Sequence, residues 1–423
     1  MSKPYVTMLG KTVRYIAKLR GGGSALPGLF VERIDPDFIR RTLAQLPDGI
    51  VVISGTNGKT TTTKMVVELL ESQGKKVFTN RTGSNFTRGV AAALIGEVDM
   101  KGKLDADIAV LELDEAHAVH FVDSIPPRFS LLLNVMRDQL DRFGEIDTTA
   151  NLLNHIAQAT TEGVVLNRED PRVARIEQSL VNQKVEFFGL STDVRHLFPN
   201  DDELHGAKLK AIKLPQAAVT LDAFNGKAAE FTVDGRQIST SLKLQGIYNV
   251  YNAAAALALV KLVVGSELRY DTLIASLSNV EPAFGRGETI TVGGQPIELV
   301  LVKNPSGFRL GLSSFPPEDH ATMIAINDNY ADGRDMSWLW DVDFDSLRPS
   351  GVAVVSGIRS YDMALRLQYD EIEAAFIEPD LGEALQTFIT TYSDEPKRIY
   401  CTYTAMLTLR KELGKITHVE VIS

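Results

Sequence analysis

The chain of 423 residues has little cysteine and no long apolar segment. Its single cysteine, Cys401, excludes an intramolecular disulfide and a zinc site built from several cysteines. No window approaches the roughly 18 consecutive apolar residues of a membrane-spanning helix, and no apolar signal region follows the first four residues. We therefore expect a cytoplasmic protein, with peripheral attachment at the inner membrane face as the alternative.

The chain also has fewer basic than acidic residues. The chain has 44 Lys and Arg residues against 54 Asp and Glu residues, which gives a net charge of −10. A nucleic-acid-binding domain normally carries a basic patch, so we expect no nucleic acid partner. The hydrophobic content of 44% is that of an ordinary globular protein, and the length predicts two or three domains.

The most informative segment is a glycine-containing turn between an apolar run and a helical pattern. Val51-Val52-Ile53-Ser54 leads into Gly55-Thr56-Asn57-Gly58-Lys59-Thr60-Thr61, which opens a helix. Backbone N–H groups of such a loop, together with the helix N-terminus, bind phosphate. Lys59 is placed to reach the β- and γ-phosphates of ATP, and the Thr60 hydroxyl is placed to bind Mg²⁺. A plain glycine turn would leave this Lys-Thr pair unexplained.

Further apolar strands follow, separated by helical patterns, and they predict a parallel sheet covered on both faces. Ligands bind such sheets at the carboxyl ends of the strands, where Gly55, Glu112, Asp114 and Asn134 fall. Glu112, Asp114 and Glu115 are three carboxylates at one strand end. One of them, with Thr60, would suffice for Mg²⁺, and a solvated acidic loop is the alternative.

Three domains are predicted. Residues 1–48 form an N-terminal segment that we expect to pack on the central domain. Within it, residues 5–20 predict an amphipathic helix whose basic side chains face either an anionic membrane or solvent. Residues 49–282 form the ATP-binding domain, which includes a small antiparallel β insertion at 190–245 that lacks cysteine and hence a zinc site. A linker at 281–287 precedes a second α/β domain, residues 283–423, with predicted strands at 297–302, 323–326, 352–355, 398–401 and 418–422.

The loop, which lacks a glycine at position 53, resembles that of the Mur ligase and folylpolyglutamate synthetase superfamily. The resemblance implies a Mur-ligase-like central ATPase domain with a parallel sheet and a small β insertion, followed by a Rossmann-like α/β domain. It also implies that Glu112 binds Mg²⁺. The nucleotide would contact Asn249 and Asn252 of Gly246–Ala254 and Arg286 of Ala283–Arg286. Gln139 stands where the amino-acid-adding Mur ligases have a metal-binding histidine, which puts a second Mg²⁺ site in doubt.

The last third of the chain resembles the MurT family, the synthetase subunits of lipid II isoglutaminyl synthase. The resemblance rests on Leu301–Phe308, Ile326–Phe344, Ser356–Leu367 and Thr402–Leu407, and it extends over essentially the whole chain. This chain departs from the family in one respect, because several MurT proteins carry a four-cysteine zinc ribbon that it cannot form.

This second resemblance implies a specific reaction. The protein would use ATP to amidate the α-carboxyl of D-glutamate in lipid II, giving D-isoglutamine through an acyl phosphate. Ammonia would come from a class-I glutaminase subunit, GatD, in a heterodimer. An aspartate of this chain would complete the partner's Cys-His pair, with Asp335 the first choice and Asp332 the second. Turn-forming aspartates with Trp338 and Trp340 in the core are the alternative.

Two other functions stay open. One is a ligase that adds an amino acid to a carboxylate, as other Mur ligases and folylpolyglutamate synthetase do. The other is a non-catalytic ATP-binding regulatory subunit. Gln139 and the 326–344 segment argue against the first, and the complete set of Lys59, Thr60 and Glu112 argues against the second. Cys401 lies in a strand pattern without flanking glycines, so we expect a structural cysteine and not a glutaminase nucleophile.

Overall fold

The computed structural model describes residues 4–19, 26–80, 87–137, 146–204, 214–225, 228–243, 246–281 and 286–419. The chain forms two compact units. The first unit comprises residues 1–135, 147–243 and 249–280, and the second comprises residues 136–146, 244–248 and 281–423.

The first unit is built on a nine-stranded sheet with the order β2-β3-β1-β4-β5-β6-β7-β8-β9. Neighbouring strands from β2 to β7 are parallel, and the last three strands form antiparallel pairs. Its central strands are buried almost throughout and mostly apolar, as expected for a sheet covered on both faces. The strands are β1 Gly49–Ser54, β2 Val77–Thr79, β3 Ile108–Glu112, β4 Phe129–Leu132, β5 Gly163–Asn167, β6 Lys184–Leu190, β7 Val219–Asn225, β8 Ala228–Val233 and β9 Arg236–Ser241.

The predicted β insertion forms an extension of this sheet. β7 pairs in parallel with β6, and β8 and β9 then continue the sheet as a meander. Alternate side chains such as Val219, Phe231 and Ile238 are buried, so these strands have an apolar core. The absence of zinc from this segment remains a prediction.

Helices cover the sheet of the first unit and precede it. They are α1 Pro4–Leu19, α2 Leu26–Ile34, α3 Phe38–Leu43, α4 Lys59–Ser72, α5 Thr87–Glu97, α6 Glu115–Ser124, α7 Ile146–Ala159, α8 Pro171–Ala174, α9 Asp201–Leu204, α10 Ile247–Val264 and α11 Tyr270–Asn279. Short 3₁₀ helices lie at Arg175–Ser179, Arg195–Leu197 and Gly265–Glu267. The predicted amphipathic helix is α1, which packs against α2 and α5.

One helical segment, Ile247–Glu267, is long and apolar enough to cross a membrane by length and composition. Within this protein it is mostly buried, at 61%. Eight consecutive residues, Ala253–Val260, are fully enclosed. The segment is therefore a core helix of the fold.

The second unit has a six-stranded sheet with the order β10-β11-β15-β12-β13-β14. Only the β10–β11 pair is antiparallel. Its strands are β10 Arg286–Val292, β11 Gln295–Leu301, β12 Ala321–Ala325, β13 Val352–Ser356, β14 Ala374–Glu378 and β15 Lys397–Cys401. Its helices are α12 Pro305–Ser314, α13 Ser360–Tyr369, α14 Leu381–Thr391 and α15 Tyr403–Leu413, with 3₁₀ helices at Ser337–Asp341 and Asp345–Leu347.

The predicted strands of this unit are present except for the last. His418 and Val419 lie outside any strand, and residues 420–423 are outside the described ranges. The predicted linker at 281–287 ends inside β10, whose first residues, Arg286-Gly287-Glu288, carry no strand signal of their own. This strand forms because it pairs with β11 in a hairpin that turns at Gly293 and Gly294.

Candidate active site

The phosphate loop lies at the carboxyl end of β1, between β3 and β4. Gly55 and Gly58 have φ angles of +133° and +88°, which favour glycine. A Cβ at Gly55 would lie 3.0 Å from the Asn134 backbone nitrogen, and one at Gly58 would lie 2.6 Å from Asn252 Oδ1. Both glycines are therefore required by backbone conformation and by close neighbours.

Lys59 is the first residue of α4 and is buried. Its Nζ donates a hydrogen bond to the Gly55 carbonyl oxygen at 2.5 Å, and it lies 3.4 Å from both carboxylate oxygens of Glu115. The Lys59 and Glu115 side chains are only 9% and 3% exposed, so each charge compensates the other where water has little access. The ammonium group is thereby held beside the loop.

Thr60 and Glu112 form the second polar pair of the loop. Thr60 Oγ1 donates a hydrogen bond to Glu112 Oε1 at 2.8 Å. Adjacent ligands of an octahedral Mg²⁺, each about 2.1 Å from the ion, lie about 3 Å apart, so these two oxygens fit one ion. Asn80 fixes Glu112 by donating to its carbonyl oxygen at 2.9 Å and accepting from its backbone N–H at 3.0 Å.

Asn134 connects the end of β4 to the loop. Its Oδ1 accepts a hydrogen bond from the Asn57 backbone N–H at 2.9 Å, and its Nδ2 donates to the Asn57 carbonyl oxygen at 3.0 Å. Its own carbonyl oxygen accepts from the Thr56 backbone N–H at 3.0 Å. Three hydrogen bonds thus set the shape of the loop without a nucleotide.

A further layer of polar groups supports Asn134. Asp170 accepts a hydrogen bond from the Val135 backbone N–H at 2.6 Å while capping the N-terminus of α8. Burial raises the pKa of Asp170 to about 6, although three backbone N–H groups act to lower it. Asn167 donates to the Leu133 carbonyl oxygen at 2.8 Å and accepts from the Tyr251 hydroxyl at 2.6 Å. Leu133 and Val135, the residues on either side of Asn134, are therefore each held by a hydrogen bond.

The remaining predicted nucleotide contacts are distributed over both units. Asn252 of α10 lies against Gly58, and Asn249 lies one turn earlier on the same helix. Thr61 is buried on α4. Arg286 opens β10 in the second unit, and its side chain is outside the described part of the chain, as is Gln139.

Of the two candidate aspartates in the second unit, Asp332 is engaged in holding its own loop. It accepts hydrogen bonds from the Thr404 backbone N–H at 2.7 Å, the Thr404 hydroxyl at 2.5 Å and the Asn329 backbone N–H at 3.1 Å. Burial raises its pKa, and the Thr404 hydrogen bonds act to lower it. Asp332 therefore ties the loop to the first turn of α15.

Asp335 is less constrained than Asp332. It is half-buried, and its Oδ1 accepts a hydrogen bond from the Ser337 backbone N–H at 2.9 Å at the start of a 3₁₀ helix. Within the described ranges, its second carboxylate oxygen accepts no hydrogen bond and forms no ion pair. On that 3₁₀ helix Trp338 is buried, whereas Trp340 is half-exposed and packs edge-on against Tyr369. The alternative in which both tryptophans are core residues is thus correct only for Trp338.

Cys401 is the last residue of β15 and is fully buried. Burial raises the pKa of its thiol well above the usual range. A thiol of this kind is a poor nucleophile at neutral pH. The prediction of a structural cysteine is confirmed.

Several residues of the site had no assigned role at the sequence level. Glu115 was one of three neighbouring carboxylates, with nothing to indicate Lys59 as its partner. Asn80 follows β2 directly and Asp170 lies three residues after the end of β5, and a polar residue after an apolar strand is the only signal that they carry. Their roles depend on the strand order β2-β3-β1-β4-β5, which brings these ends to one edge.

One protein-family model matches the chain mainly within the first unit, and a second matches within the second unit. Residues 53–260 match the family described as Mur ligase middle domain, and residues 301–406 match MurT ligase C-terminal. Over an alignment 441 positions long, the chain is 30% identical to the lipid II isoglutaminyl synthase (glutamine-hydrolyzing) subunit MurT of Streptococcus pneumoniae (strain ATCC BAA-255 / R6). The match covers 96% of each chain. This chain belongs to the MurT family.

Solved structures confirm the Mur ligase fold of this MurT-family chain. The match to the pseudomurein peptide ligase type C of Methanothermus fervidus covers 90% of the present chain and 81% of the ligase chain. Its TM-score is 0.69 and the sequence identity is 19%. The match to the MurF ligase of Thermotoga maritima in complex with ADP covers 89% of the present chain and 83% of the ligase chain. Its TM-score is 0.61 and the sequence identity is 17%. The predicted fold class, an ATPase-like α/β unit followed by a second α/β unit, is confirmed.

Proposed function

We propose that this chain amidates the α-carboxyl of D-glutamate in lipid II with ATP, forming D-isoglutamine. The observation that carries the proposal is the placement of Lys59, Thr60 and Glu112 around one loop. The chain also aligns end to end with a relative named as a lipid II isoglutaminyl synthase subunit.

The reaction has two chemical steps. An oxygen of the substrate carboxylate attacks the γ-phosphorus of ATP, ADP leaves, and an acyl phosphate forms. Ammonia then attacks the acyl carbon, phosphate leaves, and a proton is lost to give the amide. Positioning and charge stabilisation dominate such phosphoryl transfer.

The residues of the loop have defined tasks in the first step. Lys59 would move from Glu115 to the phosphates and balance charge on the transferred group. The N–H groups of Gly55–Thr61 and the start of α4 would bind the phosphates. Mg²⁺ would be held by Thr60 and Glu112 and would neutralise phosphate charge. Asn249, Asn252 and Arg286 are the proposed contacts to the rest of the nucleotide.

Ammonia requires a partner. The printed name of the S. pneumoniae relative describes a glutamine-hydrolyzing enzyme and a subunit. The only thiol of the present chain is buried, so we assign glutamine hydrolysis to a separate class-I glutaminase of the GatD type, in a heterodimer. Delivery inside a complex suits the chemistry, because protonated ammonium is not a nucleophile.

Asp335 is the proposed contribution of this chain to the glutaminase site. A carboxylate that orients the histidine of a Cys-His pair is the third member of a triad. Asp335 has a carboxylate oxygen available for this role, whereas Asp332 is engaged with Thr404. The neighbouring Tyr330 and Trp340 are exposed aromatic side chains of the kind that protein interfaces cover.

A second candidate function is the addition of an amino acid to a carboxylate. It is favoured by the likeness of the fold to peptide ligases such as MurF. It shares the acyl phosphate and differs only in the nucleophile. The absence of the metal-binding histidine at Gln139 argues against it.

The nitrogen source separates these functions. Purified chain would be incubated with ATP, Mg²⁺ and lipid II, with and without a class-I glutaminase, and supplied with ammonia, glutamine or free amino acids. We expect amidation with ammonia from the chain alone and with glutamine only in the complex. Amino acid incorporation would identify the second function, and nucleotide binding without any product would indicate a regulatory subunit.

A further inference from the structure

The two N-terminal helices expose apolar side chains that the first unit does not cover. In α1 these are Tyr5, Met8, Leu9, Tyr15 and Ile16, with exposed fractions that include 63% for Tyr5, 58% for Met8 and 66% for Tyr15. Their spacing of three and four residues places them along one face. The opposite face, with Val6, Thr7 and Gly10, is buried.

α2 has the same organisation. Leu26, Phe30 and Ile34 are exposed and four residues apart, so they form a second apolar row. Its buried face includes Val31, which lies against Gly10 of α1. We refer to the exposed apolar side chains of α1 and α2 as the N-terminal apolar surface.

Positive charge accompanies this surface in an acidic protein. Residues 1–34 contain six of the chain's 44 basic residues but only one of its 54 acidic residues, Glu32. Of the basic residues with described side chains, Lys11 lies on a flank of α1 and Arg33 lies beside Ile34 on α2. Arg14 lies instead on the packed face of α1, four residues after Gly10, with its guanidinium against Gly96 of α5. Exposed apolar residues flanked by Lys and Arg are the pattern of helices that lie in a membrane interface.

We propose that the N-terminal apolar surface docks this protein on an anionic lipid bilayer. Tyrosine, methionine and leucine side chains enter the interfacial region, and the basic flank faces anionic headgroups. A second copy of the chain is a poor occupant, because two equally cationic faces repel. This proposal extends the proposed function, in which the acceptor is carried by a membrane lipid.

The position of the surface suits such an acceptor. α1 and α2 pack on α5, α5 contacts α6, and α6 begins with Glu115, the partner of Lys59. Membrane contact and phosphoryl transfer therefore belong to the same unit. A bilayer-anchored substrate would be met by the unit that activates it.

The test is flotation of the full-length chain with vesicles. Wild-type protein should float with vesicles of phosphatidylcholine and phosphatidylglycerol and remain unbound with phosphatidylcholine alone. High salt should weaken binding, because it screens the basic flank. Equal binding to neutral vesicles, or no binding to anionic ones, would overturn the proposal without any variant.

Variants locate the surface. Met8→Glu combined with Tyr15→Glu should reduce binding to anionic vesicles at least about tenfold, because two charges enter the apolar row. Met100→Glu combined with Val181→Glu is the matched control, since these residues are similarly exposed elsewhere in the first unit. Lys11→Gln combined with Arg33→Gln should weaken binding and reduce its salt dependence. If the variant with Met8→Glu and Tyr15→Glu bound anionic vesicles as well as wild type does, the proposal would be contradicted.

Two further measurements exclude other occupants and separate this proposal from the enzymatic one. Sedimentation without lipid would detect a dimer or a glutaminase complex that the Met8/Tyr15 variant loses, and either result would assign the surface to a protein. With a lipid-free stem-peptide acceptor the variant should amidate at the wild-type rate, and only the vesicle-embedded acceptor should react more slowly. Wild-type protein that floats but amidates neither acceptor would refute the proposed function alone.

Discussion

The side-chain amide of Asn134 pairs with the backbone of Asn57 through two hydrogen bonds, of 2.9 and 3.0 Å. An amide that pairs in this way holds both the N–H and the C=O of one loop residue in a fixed orientation. Asn134 thus acts on the phosphate loop from the neighbouring strand end.

Replacement of Asn134 should therefore weaken nucleotide use while leaving the fold in place. Asn134→Ala removes two hydrogen bonds, which together are worth about 2 kcal/mol, so kcat/KM for ATP should fall about 30-fold. Steady-state kinetics with ammonia as nitrogen source would measure it. Asn279→Ala, at an exposed helix end of the same unit, is the matched control, and equal effects of the two changes would remove Asn134 from the site.

Loss of Lys59 should abolish turnover. Lys59→Ala removes the cation that balances charge on the transferred phosphoryl group, and we expect a decrease of at least about a thousandfold in ATP-dependent amidation. Lys64→Ala, on the same helix and in a partly exposed pair with Glu68, should have little effect. Near-normal amidation by Lys59→Ala would show that the loop is not the ATP site.

Glu112 should control the metal requirement. Glu112→Gln keeps the shape and removes the charge, so half-maximal activity should need at least about tenfold more Mg²⁺. A Mg²⁺ titration with activity as readout would measure this, after a chelator has been shown to stop the reaction. Glu68→Gln is the control, and an unchanged titration curve for Glu112→Gln would exclude Glu112 as a ligand.

Asp335 should affect glutamine use alone. Asp335→Asn keeps an acceptor for the Ser337 backbone N–H but loses the charge that stabilises an imidazolium. In the complex, glutamine-dependent amidation should fall by orders of magnitude, and free ammonia at a pH where some is unprotonated should restore it. Both activities would be measured on one preparation.

The chain offers a matched control for this change. Asp343 accepts a hydrogen bond from the Asp345 backbone N–H at 2.9 Å, as Asp335 does from Ser337. Asp343→Asn should leave both activities unchanged. Equal loss with ammonia and glutamine in Asp335→Asn would place that residue in the ligase site. Full activity would direct attention to Asp332, whose own replacement should also lower stability, because its carboxylate accepts three hydrogen bonds.

Asp170 should make stability depend on pH. Its pKa is about 6 in the folded protein against 3.8 as the ordinary value, so the folded state binds more protons between these values. The contribution of Asp170 to the free energy of unfolding therefore falls as the pH rises through this window, by about 3 kcal/mol in total, and is level above it. Denaturation of wild type and Asp170→Asn from pH 4 to pH 7 would measure the difference. A difference that does not vary with pH would show that Asp170 has an ordinary pKa.

Much of the first unit is predictable from the sequence. The loop from Gly55 to Thr61 has a spacing that is typical of a phosphate-binding turn, and the flanking apolar strands indicate a parallel sheet. The partners of individual side chains are harder to predict from the sequence, because they depend on the order of the strands in the sheet. Glu115 meets Lys59 and Asn134 meets Asn57 only because β1 lies between β3 and β4.

The second unit shows a different limit. β14, Ala374–Glu378, is an edge strand that ends on a charged residue, and the side chains of its short apolar run, Ala374–Ile377, are largely exposed. A run of this length does not by itself distinguish an edge strand from other structure. β6 and β10 likewise carry charged residues at their starts. Such strands form because a neighbour offers hydrogen bonds, and a single sequence does not reveal that neighbour. The sequence likewise does not distinguish Asp332 from Asp335, because the hydrogen bonds that Asp332 accepts from Thr404 are visible only in the structure.

The Lys59–Glu115 pair also bears on the order in which ligands arrive. Among the residues that the structure describes, Lys59 and Thr60 of the loop bond to two carboxylates, Glu115 and Glu112, and the one ammonium of this group is already paired. Free ATP, a polyanion, would meet repulsion from this arrangement, whereas a nucleotide already bound to a divalent cation would not. We therefore expect the metal–nucleotide complex to be the species that binds, and uncomplexed ATP in excess to compete only weakly for the same site.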